Sequence, residues 1–254
     1  MNDRTSRTCL ILGAASAVAV AFARQTAANG NVKFILAGRD ERRLEAIRAD
    51  LVARGADAGS VVVTGDLGAP DEVALLAGRI FAAAERIDEA LLAYGLLGDK
   101  HAMQSDISSA RTLLDVNFVS ATLWCEAMAS HFERNGEGRL AVVGSVAGDR
   151  GRQSNYLYGA TKGGLERVCE GMAHRFAGSG RISITLIKPG FIDTPMTDHL
   201  KKGGLLWASP DAIAKVIRRA MNDRRMRVYA PWFWRWIMLV IRAVPVFVIH
   251  RTKL

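Results

Sequence analysis

The sequence predicts an α/β fold in which one doubly wound, parallel sheet carries helices on both faces. Short runs rich in Val, Ile and Leu alternate with longer segments whose apolar residues recur at helical spacing. The runs are continuously apolar, as strands covered on both faces require. No repeat, low-complexity tract or Pro- and Ser-rich linker interrupts the alternation. Together these observations predict a single domain of strands joined by helical crossovers.

Each apolar run is assigned to a strand and each periodic segment to a helix. Pro70 with Asp71, and Pro210 between Ser209 and Asp211, are typical of the first turn of a helix. The seven predicted strands are residues 9–12, 32–37, 61–64, 90–94, 140–143, 182–187 and 227–230. The six predicted helices are residues 16–28, 40–54, 70–84, 106–135, 155–177 and 210–222. We therefore expect a seven-stranded Rossmann-type domain over residues 1–230, followed by a basic tail rich in tryptophan over residues 231–254.

Composition and cysteine content exclude several classes of protein. Of 254 residues, 50% are hydrophobic and 23% are charged, which is an ordinary globular composition and not that of a disordered chain. The three cysteines are widely spaced, at Cys9, Cys125 and Cys169. This spacing fits neither a disulfide framework nor a metal site, so we expect a reducing compartment and no metal.

The N-terminus imitates a secretory signal, because Arg4 and Arg7 precede an apolar run that ends in Ala-Phe-Ala. Cleavage after Ala23 would remove the first predicted strand and the turn that follows it. We therefore reject the signal and expect a cytoplasmic protein.

The net charge of +9 is concentrated at the C-terminal end. Residues 201–254 contain 12 basic and 2 acidic residues, whereas residues 1–200 contain 22 basic and 23 acidic residues. Such a basic segment is typical of a protein that binds either a nucleic acid or an anionic membrane surface.

The tail favours the membrane surface over nucleic acid. Trp232, Trp234 and Trp236 lie in an apolar run, not spaced along a polar basic face. Arg235, Arg242 and Pro245 interrupt this run, so it is too broken to span a bilayer. We expect an in-plane helix at the inner face of the cell membrane. The alternative is a contact between subunits, since we also expect a homo-oligomer.

The first predicted strand ends in a turn of small residues. Such a turn lets backbone N–H groups at a helix N-terminus face a phosphate, and its candidates are Gly13, Ser16, Ala17 and Val18. A plain strand-to-helix turn would explain the same residues.

The second predicted strand ends at Gly38 and Arg39. An acidic side chain at position 38 would accept the ribose hydroxyls of NAD, but glycine has no side chain. Arg39 can instead pair with a 2′-phosphate, which favours NADPH over NADH. The alternative is that Arg39 is a solvated residue at the start of a helix.

Ser145, Tyr158 and Lys162 form the most informative group. Tyr158 and Lys162 are four residues apart and share one face of a predicted helix. A neighbouring ammonium is expected to lower the pKa of the phenol from about 10 toward neutrality. The tyrosine then exchanges a proton with a carbonyl that receives hydride, or with an alcohol that loses it. Ser145, at the end of a strand, can hydrogen-bond the same oxygen.

These motifs resemble the short-chain dehydrogenase/reductase family over residues 8–230. The resemblance rests on YGATK at 158–162, GSVAG at 144–148, DVN at 115–117, DL at 66–67 and PGFIDT at 189–194. The sequence departs from the family at Ala17 and Ala19, where glycines are usual, and at residues 92–95. Within the family, residues 94–99, residues 155–159 and the tail resemble reductases that act on a decaprenylphosphoryl-keto-pentose.

The resemblance implies a role for each matching residue. Ser145, Tyr158 and Lys162 would be catalytic, and Asn117 would hold a water near Lys162 for proton relay. Asp66 and Leu67 would lie beside the adenine, and Ile192 and Thr194 at the nicotinamide carboxamide. The expected cofactor-binding residues are Gly13, Ser16, Ala17, Val18, Arg39, Asp66, Leu67, Gly95, Tyr158, Lys162, Pro189, Gly190, Ile192 and Thr194.

The leading hypothesis is an NADPH-dependent reductase of a ketone, acting on a lipid-linked sugar or another lipid carbonyl. The second is a soluble 3-ketoacyl- or steroid-type reductase or dehydrogenase, with the tail as a subunit contact. The third is an NADP-binding regulatory protein without turnover.

Overall fold

The computed structural model describes residues 7–28, 30–198 and 203–252. Seven strands form one parallel sheet, and two short strands pair separately. Across the sheet, the strands follow the order 61–64, 32–38, 7–12, 89–92, 138–143, 182–189 and 227–230. The predicted Rossmann-type α/β fold is confirmed. The strands are β1 Arg7–Leu12, β2 Val32–Gly38, β3 Val61–Thr64, β4 Glu89–Leu92, β5 Gly138–Val143, β6 Ile182–Pro189, β7 Phe191–Ile192, β8 Trp207–Ala208 and β9 Arg227–Ala230.

The helices cover both faces of the sheet. They are α1 Ala17–Ala27, α2 Glu41–Ala53, α3 Val73–Ala82, α4 Lys100–Ser105, α5 Ile107–Leu114, α6 Ser120–Asn135, α7 Tyr156–Arg175, α8 Pro210–Asn222, α9 Trp234–Ala243 and α10 Val246–Ile249. Short 3₁₀ turns occupy Pro70–Glu72, Val146–Asp149 and Pro195–Thr197, and one π turn occupies Asp115–Val119.

The helix expected over residues 106–135 is the largest departure from the predicted elements. It consists of α5, the π turn and α6, and the short α4 precedes it. Asp106 separates α4 from α5, because its extended backbone (φ −132°) ends one helix while its carboxylate accepts the N–H groups of Ser108 and Ser109.

The hydrophobic core lies on both faces of the sheet. Side chains of β1 alternate between the two layers, so Leu10 packs with the α3, α6 and α7 side and Ile11 with the α1 and α8 side. Trp124 and Phe132 fill the first layer, and Phe22 the second. This two-sided burial explains why the strands are continuously apolar in the sequence.

The C-terminal helix α9 packs on the edge of the domain. Trp234 and Met238, one turn apart, are buried against Val146. Within residues 7–28, 30–198 and 203–252, no helix is long and apolar enough to cross a membrane.

Candidate active site

The carboxyl ends of the parallel strands bring the predicted catalytic residues together. Ser145 follows β5 and caps the 3₁₀ turn Val146–Asp149, where its Oγ accepts the N–H of Ala147 at 3.1 Å. Helix α7 carries Tyr158 and Lys162 past the same turn. The strand-end serine and the helical pair therefore face one region of the sheet edge.

Two glycines set the distance between the serine turn and α7. A Cβ on Gly148 would lie 2.7 Å from the nitrogen of Gly163, and a Cβ on Gly159 would lie 2.8 Å from the carbonyl oxygen of Ala147. Because neither glycine has a Cβ, the two backbones are in direct contact.

Lys162 lies beside Tyr158, as the helical spacing predicts. Its Nζ is 5.9 Å from the centroid of the Tyr158 ring and donates a hydrogen bond to the carbonyl oxygen of Val143 at 3.1 Å. Lys162 is buried, and this burial lowers the pKa of its ammonium to about 8. The site therefore holds a cation that burial makes easier to deprotonate.

The pKa of Tyr158 differs from the sequence-based expectation. Protein atoms packed around the phenol raise its pKa above the ordinary value, and the hydrogen bond with Ser145 offsets only part of this rise. The expected lowering was wrong in direction, because burial of the phenol is the largest influence on its pKa. The phenol is therefore protonated at neutral pH.

Asn117 lies in the π turn and is buried. Its Oδ1 accepts the N–H of Leu96 at 2.7 Å, and its Nδ2 donates to the carbonyl oxygen of Leu96 at 2.6 Å. The side-chain amide thus fixes the segment that follows β4. The water that the resemblance places here stays a prediction.

Gly95 keeps the space in front of Lys162 open. A Cβ at this position would lie 3.0 Å from Oδ1 of Asn117 and 3.6 Å from Nζ of Lys162. The φ of Gly95 is also +159°, a value that side-chain-bearing residues rarely adopt.

The turn after β1 has the backbone geometry of a phosphate-binding turn. Gly13 has a φ of +86°, and a Cβ there would lie 2.7 Å from Cβ of Tyr94. Ser16 caps α1 by accepting the N–H of Ala19 at 3.2 Å. Ala17 and Val18 form the first turn of α1, where backbone N–H groups have no partner within the helix. These N–H groups are available to an anion.

Arg39 is exposed at the end of β2, immediately after Gly38. Arg43, in the first turn of α2, donates from Nη2 to the carbonyl oxygen of Ala15 at 2.8 Å. Sequence reasoning missed Arg43, although its position four residues after Arg39 was a signal. Arg39 follows β2, and Arg43 reaches the turn after β1 through its hydrogen bond to Ala15.

Asp66 and Leu67 follow β3. Oδ1 of Asp66 accepts the N–H of Gly68 at 2.9 Å, so this carboxylate shapes its own turn. Leu67 is buried, and its carbonyl oxygen accepts a hydrogen bond from Nε1 of Trp124 at 3.1 Å. The two residues are therefore held rigidly at the strand end expected to face the adenine.

The residues after β6 meet the C-terminal tail. Pro189 ends β6, and the N–H of Gly190 donates to the carbonyl oxygen of Ala230 at 3.0 Å. A Cβ on Gly190 would lie 1.9 Å from Nε1 of Trp234, so the indole rests directly on this glycine. Sequence reasoning missed this contact.

Ile192 and Thr194 belong to the segment that continues from Gly190. Ile192 lies in β7 opposite Ala208 of β8. The N–H of Thr194 donates to Oγ1 of Thr197 at 3.3 Å, and the same hydroxyl donates to the carbonyl oxygen of Ile192 at 2.7 Å. This local network orders the segment expected to face the nicotinamide.

The residues at these strand ends fit a nicotinamide dinucleotide. The N–H groups of the first turn of α1 suit a diphosphate, and Gly95 leaves room in front of Lys162 that a Cβ would fill. For metal ions, the residues described contain no group of three His, Cys, Asp or Glu side chains able to hold one.

Comparison with known proteins agrees with this geometry. The model of the short chain dehydrogenase family matches residues 7–204. An uncharacterized oxidoreductase of Mycobacterium tuberculosis is 31% identical and covers 99% of both chains. A 3-oxoacyl-[acyl-carrier-protein] reductase of Synechocystis is 25% identical, over 88% of this chain and 92% of that one. The solved structure of a putative betaketoacyl-ACP reductase superposes with a TM-score of 0.73 at 26% identity, over 88% and 95% of the chains.

Proposed function

Because the chain belongs to the short chain dehydrogenase family and is an NAD(P)-dependent oxidoreductase of that family, we propose that it reduces a ketone to a secondary alcohol with NADPH. The observation that carries this proposal is a protonated, largely enclosed tyrosine beside a buried lysine and a strand-end serine. Reduction of a ketone consumes a proton, and Tyr158 is in the form that donates one.

Each catalytic side chain has one task in this proposal. Ser145 orients the carbonyl oxygen of the substrate through its hydroxyl. Tyr158 protonates that oxygen from its phenol, and a bound NADPH supplies the hydride. Lys162 binds the ribose hydroxyls with the N–H bonds that it does not use on Val143, and its charge favours the phenolate left after proton transfer. Asn117 holds the backbone of Leu96 beside this site.

The preference for NADPH over NADH is proposed from the charges at the end of β2. Gly38 offers no carboxylate to the ribose, and Arg39 is exposed at that place. Arg43 adds a second guanidinium near the phosphate turn. Arginine forks suit a 2′-phosphate, and a carboxylate would repel it.

Replacing Arg39 tests this preference. Arg39→Ala should raise KM for NADPH about tenfold, roughly the value of one charge-assisted hydrogen bond, and leave KM for NADH unchanged. Arg48→Ala, a substitution elsewhere on α2, is the matched control. Equal effects on the two cofactors would contradict the proposed role of Arg39.

We propose a lipid-linked sugar or another lipid carbonyl as the substrate, with the enzyme working at the inner face of the cell membrane as a homo-oligomer. Support comes from the segment after β6, which carries large apolar side chains. Phe191 stacks on Trp207 at 5.3 Å between ring centroids. Exposed apolar side chains nearby are Phe191, Met196, Leu205 and Leu206.

A soluble 3-ketoacyl-type reductase is the second candidate. The names of the Synechocystis relative and of the solved ketoacyl reductase favour it, although their identity to this chain is 25% and 26%. A regulatory protein without turnover is less favoured, because binding alone does not need the full set of Asn117, Ser145, Tyr158 and Lys162.

A panel of lipid-linked and soluble ketones, assayed with NADPH and NADH by absorbance, tests the function. Tyr158→Phe should abolish turnover, by about a thousandfold or more, because it removes the proton donor and retains the ring. The variant should still bind NADPH, which fluorescence titration measures. Undiminished turnover by Tyr158→Phe would overturn the assignment.

A further inference from the structure

Helix α9 has two apolar faces, and the domain covers one of them. Trp234 and Met238 are buried, and Ile237 and Ile241 pack partly against the same cluster. The other face carries Trp236, Leu239 and Val240, with 55%, 54% and 65% of their surfaces exposed, and Trp232, two residues before the helix, is 72% exposed. An ordinary surface helix has one apolar face, which it buries in its own domain.

The short helix α10 extends the exposed surface. Val246 and Phe247 are 60% and 65% exposed. The exposed face of α9 and these residues of α10 are called the tail face below. Trp232, Trp236 and Phe247 are all exposed, and aromatic side chains of this kind are what an interfacial membrane contact uses.

The charged side chains of residues 224–254 are all positive. Asp223 is the last acidic residue of the sequence, and residues 224–254 contain six arginines and one lysine. Arg235 lies beside the tail face, with its guanidinium 5.6 Å from the centroid of the Trp236 ring, and Arg251 follows α10 exposed to solvent. An anionic surface with an apolar interior complements this combination, whereas two copies of the tail face would bring like charges together.

The covered face of α9 is attached to the catalytic serine turn. Trp234 and Met238 contact Val146, the residue after Ser145. Nη1 of Arg150 donates to the carbonyl oxygens of Ile241 and Arg242 at 2.9 and 2.7 Å, so Arg150 caps the C-terminal end of α9. Trp234 also rests on Gly190, in the segment after β6.

From these contacts we infer that the tail face docks on an anionic lipid bilayer, and that docking orders the catalytic serine turn through Arg150. The inference rests on the proposed function, whose site it regulates. Side chains of the tail face lie together only while α9 is helical, and the packing on Val146 supports that helix. A bilayer that binds this arrangement therefore favours the ordered form of the serine turn.

Flotation with lipid vesicles tests the docking. The protein should float with vesicles of equal parts phosphatidylglycerol and phosphatidylcholine, and remain at the bottom with phosphatidylcholine alone. Trp236→Ala should weaken vesicle binding about tenfold, because it removes a large exposed apolar side chain. Leu75→Ala is the matched control, since Leu75 is 69% exposed on α3, outside the tail face.

Hydrogen exchange of the backbone amides of residues 144–150 tests the coupling without an activity assay. Anionic vesicles should slow this exchange about tenfold in the native protein. The Arg150→Ala variant should float normally, but vesicles should no longer slow its hydrogen exchange. In Arg150→Lys the vesicles should still slow the exchange in part.

Three results would overturn the inference. These are absence of flotation with anionic vesicles, an equal effect of Leu75→Ala and Trp236→Ala, and slowed exchange that persists in Arg150→Ala. Light scattering that shows a dimer broken by Trp236→Ala would assign the tail face to a second copy instead. Flotation needs no turnover, so its outcome is independent of the reductase assignment, which the turnover of Tyr158→Phe tests.

Discussion

Two buried lysines occupy adjacent parts of the molecule under opposite electrostatic conditions. Lys162 on α7 is 5% exposed and Lys188 on β6 is 1% exposed. Two carboxylates hold Lys188, while Lys162 donates to a backbone carbonyl and, in the described part of the chain, forms no ion pair. The two ammonium groups are therefore similarly buried, but among the described residues only that of Lys188 is paired with carboxylates.

The surroundings of Lys188 form a compensated ion cluster. Its Nζ contacts carboxylate oxygens of Asp149 and Glu166. Nη1 of Arg227 donates to Glu166 at 2.9 Å, and the hydroxyl of Tyr229 donates to Asp149 at 2.9 Å. Burial alone would raise the pKa of Glu166, but the hydrogen bonds and charges of Lys188 and Arg227 outweigh it and lower that pKa.

The surroundings of Lys162 lack that compensation, and burial lowers its pKa to about 8. An incompletely paired buried charge costs stability, so such groups concentrate where a site needs them for binding or chemistry. The difference teaches that Lys188 contributes to the fold, by joining the serine turn to α7, whereas Lys162 carries a buried charge that costs stability, as its proposed role at the site would explain.

The largest effect expected in this comparison is on stability at Lys188. Lys188→Met keeps the volume but leaves the carboxylates of Asp149 and Glu166 buried without their shared cation. The free energy of unfolding should fall by about 3–5 kcal/mol, measured by urea denaturation. A loss below about 1 kcal/mol would show that the ion cluster around Lys188 does not stabilise the fold.

The pH dependence of stability gives the second effect. Above about pH 8 the folded protein releases the Lys162 proton, whereas the unfolded chain retains it up to the ordinary pKa of 10.5. The unfolded state then binds more protons, so stability rises with pH across this window, by up to about 3 kcal/mol. Urea denaturation of the native protein and of Lys162→Met between pH 8 and 10 measures this rise in stability. If the free energy of unfolding of the native protein changed with pH just as that of the variant does, the lowered pKa of Lys162 would be contradicted.

The same substitution gives the third effect, on activity. Lys162→Met should lower kcat/KM about a hundredfold, because the site loses the cation proposed to bind the ribose and to favour the phenolate. Its free energy of unfolding at pH 7 should be unchanged or higher, in contrast to Lys188→Met. Steady-state assays and urea denaturation of Lys162→Met and Lys188→Met test this contrast. Equal destabilisation by both substitutions would contradict the distinction between the two lysines.

The fold and the placing of Lys162 beside Tyr158 could be predicted because their signals are local. Seven apolar runs gave all strands of the main sheet, and i, i+4 spacing placed Lys162 beside Tyr158. The pKa of Tyr158 could not be predicted, since it depends on how closely distant segments surround the phenol.

Contacts between distant segments could not be predicted either, because they also depend on how those segments pack. Asp149, Glu166 and Lys188 share no pattern in the sequence, although they form one buried cluster. The contact of Trp234 with Gly190 joins residues whose proximity depends on how the tail packs. Arg150 likewise looks like an ordinary surface arginine until α9 is placed against it.

The main-chain contacts at Gly148 and Gly159 have a consequence for how this architecture can change. Atoms common to every residue, not side chains, determine the spacing between the hydroxyl of one loop and the phenol of the neighbouring helix. Substitutions in the segments that surround the substrate therefore leave that spacing intact. Specificity can diversify while the reaction stays the same.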